Sequence, residues 1–267
     1  MSDGDVIKDS AQAILKMVPW DAVDKEGNID KSKDYKDSLV SISPESGVLI
    51  KQLKPTLGEV SELGEDNEKI VLGVYYSMSP RGKIVLYWER IGSFFWHIIS
   101  ELMNNKKHKI TAYQLLKLAE ATVAKTAYHE MFHHKSDVLT ILFGTRKEYL
   151  REEAFAVAAS YFEVEWNGGG WNTGWDSVPK KLREDFLNLA YQYSAPGYRD
   201  WVNFKDRRDY EKQLLEYVIH PTALRLLKLA YKDFNHFRVF PHAMHDFYDV
   251  GRYSKFVDYE ILPSIFE

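Results

Sequence analysis

Two histidines four residues apart, with a glutamate directly after the first, stand at His129-Glu130-Met131-Phe132-His133. On a helix, positions i and i+4 lie one above the other, so both imidazoles converge on one point. This is the His-Glu-x-x-His pattern that binds Zn2+. Glu130, one residue round from His129, stands beside the metal, where it can take a proton from a zinc-bound water. The chain has no cysteine. Disulfide scaffolds, thiolate zinc sites and Cys nucleophiles are therefore excluded, and any metal must be held by His, Asp or Glu.

A catalytic zinc keeps three protein ligands and one open position. The third ligand is sought in the next helical stretch, which carries Arg151-Glu152-Glu153-Ala154-Phe155-Ala156. Glu153 shares a helical stripe with Leu150, Ala156, Val157 and Ser160. Glu152 shares one with Glu148, Ala159 and Glu163, a stripe that reads as solvated. A carboxylate on an apolar stripe needs a partner, and a metal supplies one. Glu153 is thus the expected ligand and Glu152 the reserve.

The elements that must position these residues are legible in part. Residues 111–143 contain no Gly or Pro, and Thr111 with Gln114 three residues on forms a capping-box pattern, so one long helix is expected up to Gly144. Its ligand stripe runs Leu115, Leu118, Thr122, Thr126, His129, His133. That stripe is apolar or small up to the histidines, as suits an inward-facing site. Further helices are expected at 147–162, 179–193, 209–219 and 222–234, one from Ser93 to about Asn105, and a short one at 11–17. Runs 70–78 and 83–90 read as strands of a β-hairpin around Ser79-Pro80-Arg81-Gly82. The rest of residues 1–68 reads as irregular or short strands, and 235–267 as an irregular tail. The glycine- and tryptophan-bearing segment 167–177 reads as a surface loop with the composition of a lid.

With these motifs the chain resembles the zincin metallopeptidases of the gluzincin type, in which a second helix donates a glutamate to the His-Glu-x-x-His helix. The resemblance covers residues 111–162. No third histidine or Met-turn pattern follows, which excludes the metzincin branch. The stretch at 152–156 lacks the Glu-x-x-x-Asp of thermolysin-like enzymes. The resemblance implies an α+β, mainly helical, zincin-like fold with a small sheet packed on the active-site helix. It implies Zn2+ held by His129, His133 and Glu153, with Glu130 as general base in peptide hydrolysis. It further implies an edge strand that pairs with a peptide or protein substrate, and a Tyr or His that stabilises the oxyanion. Tyr161, Tyr193 and Tyr198 qualify for the last role by position. A non-catalytic metal-binding or interaction domain is the alternative. His134 and Asp137, on the stripe beside the ligands, read either as a pair orienting the site or, by preference, as a helix-surface pair. His236, His242 and His245 in the tail read mainly as packing residues.

Composition bounds the rest. A chain of 267 residues with 45% hydrophobic residues can bury a substantial core, and no linker divides it, so one domain spanning 1–267 is expected. Its 35 basic and 39 acidic residues give a net charge of −4, which argues against nucleic-acid binding. No apolar run approaches the roughly 20 residues of a membrane helix. The N-terminal stretch lacks the features of a signal peptide. A soluble, cytoplasmic protein is the expectation.

Overall fold

The computed structural model describes residues 3–20, 37–53, 72–77, 82–143, 147–166, 174–193, 195–204, 206–218 and 257–262. In chain order the elements are α1 (Asp3–Leu15), α2 (Pro44–Gln52), β1 (Gly73–Tyr76), β2 (Gly82–Tyr87), α3 (Trp88–Asn104), α4 (Ala112–Phe143), α5 (Tyr149–Trp166), α6 (Lys180–Ala190), α7 (Arg207–Val218) and β3 (Val257–Leu262). Short 3-10 turns lie at Trp175–Ser177 and Tyr198–Asn203. The fold is α+β and mainly helical, with one small sheet, as the sequence predicts.

Helix α4 is the element the others pack around. Its start is the expected capping box: the Thr111 N–H donates to Gln114 Oε1 (3.0 Å) and the Gln114 N–H to Thr111 Oγ1 (3.3 Å). Helices α1, α3 and α5 and strands β1 and β2 all lie against it. Leu115, Leu118, Thr122 and Thr126, the stripe leading to the histidines, are all buried. So are Ala119, Ala121, Val123 and Ala124 on its other faces. The alanines let neighbours approach closely, and a helix covered on all sides along its middle is the natural carrier of an interior site.

Covering the middle of α4 also buries its polar residues. Lys117 pairs with Glu120 at 2.9 Å, and Thr122 Oγ1 donates to the Leu118 carbonyl. Lys125 places its ammonium over the rings of Phe94, Tyr191 and Tyr193, at 4.8, 5.4 and 5.0 Å from the centroids. Those faces supply cation–π attraction in place of water.

The sheet has the order β1-β2-β3. β1 runs antiparallel to β2 with Val74 opposite Val85, and β3 runs parallel to β2 with Val85 opposite Glu260. Among the described residues β2 is central and β1 is an edge. The Tyr87 N–H bonds to the Leu72 carbonyl at 3.0 Å. By the antiparallel alternation, Val74 and Tyr76 also face β2, and the backbone groups of Gly73 and Tyr75 point to the free edge.

Several expectations are corrected. The hairpin strands are shorter than runs 70–78 and 83–90. α3 starts at Trp88 rather than Ser93, because the stripe Ile91, Phe94, Phe95, Ile98, Leu102 buries one helical face, and this outweighs the β-propensity of Trp88. α1 begins at Asp3 rather than Ala11. Within 1–68, residues 44–52 form a helix capped by Ser43, whose hydroxyl accepts the Ser46 N–H, with Pro44 in the first turn. The tail contributes β3, whose parallel partner lies some 170 residues earlier, a pairing no local pattern reveals. Of the segment 167–177 expected as a surface loop, residues 167–173 lie outside the described residues, and Trp175 is a core residue against Phe186. The expected helix 222–234 and His236, His242 and His245 lie outside the described residues. Among the described residues no helix is long and apolar enough to cross a membrane.

Two outcomes follow from this packing. A Cβ at Gly73 would lie 2.9 Å from Thr126 Cγ2 and 3.1 Å from Glu130 Cγ. Gly73→Ala is therefore expected to lower unfolding free energy by about 1–3 kcal/mol, read from the urea midpoint. Burial lowers the Lys125 pKa from 10.5 to about 7. The folded value lies below the unfolded one, so its destabilising effect is full below pH 7 and fades as pH rises toward 10.5. Lys125→Met should exceed the wild type in thermal stability most at pH 6, by about 1–4 kcal/mol, and the gap should close by pH 10.5.

Candidate metal centre

His129 and His133 project from one face of α4 toward α5, the helix most extensively packed on it. Three donor atoms meet there. His129 Nε2 lies 3.3 Å from His133 Nε2. Glu153 Oε2 lies 3.2 Å from the first and 3.5 Å from the second. Bonds of about 2.0–2.1 Å at tetrahedral angles set donor atoms about 3.3–3.4 Å apart, so the triangle has the edge length of one face of a tetrahedral zinc site. His129, His133 and Glu153 form a group that can hold a metal ion.

The chemistry of the donors makes the same point. Glu153 Oε2 is buried, and its partners are the two imidazole nitrogens. Two nitrogens and a carboxylate oxygen facing one another inside a protein require positive charge, from protons or from a cation. The titration behaviour follows. Burial opposes protonation of His133, but the Glu152 and Glu153 carboxylates outweigh it and raise its pKa to about 10. Burial would raise the Glu153 pKa, but the two imidazoles hold it far below the usual carboxylate range.

Each donor is fixed from behind. His133 Nδ1 is 2.9 Å from Glu152 Oε1. That oxygen also receives Lys147 Nζ at 3.2 Å, while Glu152 Oε2 accepts the Tyr217 hydroxyl at 3.3 Å. Burial raises the Glu152 pKa, but His133 and Lys147 outweigh it and keep the group ionised, so it can only accept. When a metal replaces the other ring proton, His133 therefore keeps its proton on Nδ1 and offers Nε2. Tyr149 and Tyr198 hydroxyls hydrogen-bond to Glu153. The Tyr198 ring stacks on His129, 5.7 Å between centroids at 14°. Gly197 makes that stack possible: its φ of 82° is left-handed, and a Cβ there would lie 2.9 Å from the Leu150 carbonyl on α5.

Glu130 is buried beside the triangle. Burial pushes its carboxyl pKa up, while His129 and His133 pull it down. Its carboxylate accepts the backbone N–H of Tyr75, one of the groups on the free edge of β1. The Tyr75 side chain meets the next turn of α4: its hydroxyl is 3.3 Å from His134 Nδ1, and the two rings pack edge to face at 5.5 Å. A groove of about 570 Å3 opens beside Tyr149, lined also by Glu148, Leu150, Arg151, Asp200 and Phe204.

The sequence expectations sort as follows. His129, Glu130, His133 and Glu153 come together. Glu152 is not solvated but 4% exposed, because the side of α5 that carries it faces α4 and α7, and its bonds to His133, Lys147 and Tyr217 occupy both oxygens. His134 and Asp137 are no surface pair: His134 is buried against Tyr75, and Asp137 pairs with Lys147. Tyr193 and Tyr198 stand close enough for Glu130 and Glu153 to raise their pKa values further, after burial. Tyr161 instead packs on Tyr191 and Trp201. Tyr75, Lys147, Tyr149 and Tyr217 were not anticipated. Lys147 and Tyr149, just ahead of the ligand stripe, offered the one local signal.

No protein-family model, curated protein or solved structure matches the chain.

Titration with Zn2+ is expected to bind one ion per chain and to raise the melting temperature. At a hundredfold excess over Kd the stabilisation is about 2.7 kcal/mol. Glu153→Ala removes one donor and should abolish that thermal shift while leaving the protein folded by circular dichroism.

Proposed function

We propose that this protein is a zinc-dependent metallopeptidase, with His129, His133 and Glu153 as zinc ligands and Glu130 as general base. The observation that supports the reading is the triangle of Nε2, Nε2 and a buried Oε2, with Glu130 buried beside it. Two imidazoles and one carboxylate with room for a fourth ligand are a donor set suited to Zn2+, and they are the set of the gluzincin-type zincins that the sequence resembles. A zinc ion held there supplies a Lewis acid and lowers the pKa of bound water to about 7.

The protein's own groups divide the remaining work. Glu130, its pKa raised by burial, accepts a proton from the attacking water and returns it to the leaving amine. Tyr149, Tyr193 and Tyr198 surround Glu153, and their hydroxyls are candidates to stabilise the oxyanion that develops on the carbonyl. The outward backbone groups of Gly73 and the outward carbonyl of Tyr75 offer an extended peptide a strand to pair with, the Tyr75 N–H being held by Glu130.

The test is hydrolysis of a broad peptide library by zinc-loaded protein. Glu130→Gln is expected to keep stoichiometric zinc and lose activity by a factor of about 10^2–10^4. Wild-type protein that holds zinc yet cleaves nothing would instead favour a non-catalytic metal-binding domain.

A further inference from the structure

Lys147 stands outside the donor triangle yet touches two carboxylates around it. Its Nζ is 3.2 Å from Glu152 Oε1 and pairs with Asp137 Oδ1. Glu152 Oε1 is also the atom that receives His133 Nδ1–H. Asp137 in turn neighbours the Tyr75 hydroxyl on the edge strand. One cation thus joins the C-terminal part of α4, the start of α5 and β1. The Asp137 and Glu152 side chains are only 15% and 6% exposed, so neither charge can rely on water.

We propose that Lys147 is a positioning residue for metal binding, which keeps Glu152 on His133 by separating it electrostatically from Asp137. The proposal rests on the reading of His129, His133 and Glu153 as ligands. Without the ammonium, Asp137 and Glu152 are two sheltered like charges with nothing between them. Glu152 then turns away, His133 loses the acceptor that fixes its tautomer, and Nε2 is no longer aimed at Glu153. Loss of a carboxylate behind a metal-binding histidine typically costs 10–100-fold in affinity. A plain charge effect has the opposite sign, because removing a cation near a cation site tightens binding. The sign of one measurement therefore separates positioning from charge.

The experiment is zinc affinity of the full chain by chelator competition, for wild type, Lys147→Met, Lys147→Arg and the double variant Asp137→Asn/Lys147→Met. The expected result is a loss of roughly tenfold or more in Lys147→Met, with affinity near wild type in Lys147→Arg. The double variant, which removes the repelling charge, should recover most of the affinity. In zinc-loaded protein, ring 15N shifts should report the Nδ1–H tautomer of His133 in wild type and its loss in Lys147→Met. Unchanged or tighter zinc binding by Lys147→Met overturns the proposal, as does a double variant that recovers nothing. If wild type binds no zinc, the ligand reading itself fails, and the hydrogen-bonded Nδ1–H proton resonance of His133, kept in wild type and lost in Lys147→Met, decides whether Lys147 holds Glu152 on His133. Should Lys147→Met not fold, Lys147→Arg and the double variant carry the same comparison.

Discussion

Two imidazole nitrogens and a carboxylate oxygen held within about 3.5 Å of one another and largely shielded from water require a positive charge among them, from protons or from a cation. That constraint organises the rest of the site. Glu152 holds the Nδ1 side of His133, Tyr149 and Tyr198 stand against Glu153, and the Tyr198 ring fixes the plane of His129. Each contact restricts a rotation that would move a donor atom out of the group. The preorganisation is carried by the protein and is set in the resting fold.

Holding such a cluster requires a scaffold that does not yield. α4 meets the need by being enclosed along its middle, but enclosure buries Lys117, Glu120, Thr122 and Lys125 along with the alanines. Each has a local solution: an ion pair, a bond to the preceding turn's carbonyl, a set of aromatic faces. The same logic extends outward. Asp137, Lys147 and Glu152 alternate in sign, so negative charge gathered around the triangle is balanced by contact rather than by solvent. Edge strand β1 is drawn into this arrangement twice, by the Tyr75 backbone at Glu130 and by the Tyr75 side chain at His134.

Much of this was legible from local patterns. Thr111 and Gln114 announced the start of α4, and the stripe from Leu115 to His133 announced its inward face. The i, i+4 histidines and the stripe of Glu153 named the donors. Stripes failed for Glu152, because its neighbours Glu148 and Glu163 suggested solvent, whereas Tyr217 and Lys147 close over it from elements distant along the chain. They failed also for Trp88, where burial of the α3 face outweighed β-propensity, and for β3, whose parallel partner is remote.

What the sequence determined by itself is chemistry and periodicity. Donors limited to nitrogen and oxygen, two imidazoles on one helical face, a glutamate on an apolar stripe and a mainly helical fold all depend on spacing within a few residues. What only the tertiary structure decided is that Glu152 supports His133 from behind instead of facing solvent, which of the described strands is the edge, and which of the described tyrosines reach the site. Those choices turn on contacts between segments tens to hundreds of residues apart, where ångström-scale packing such as the close pass of Gly197 over Leu150 has no counterpart in local sequence.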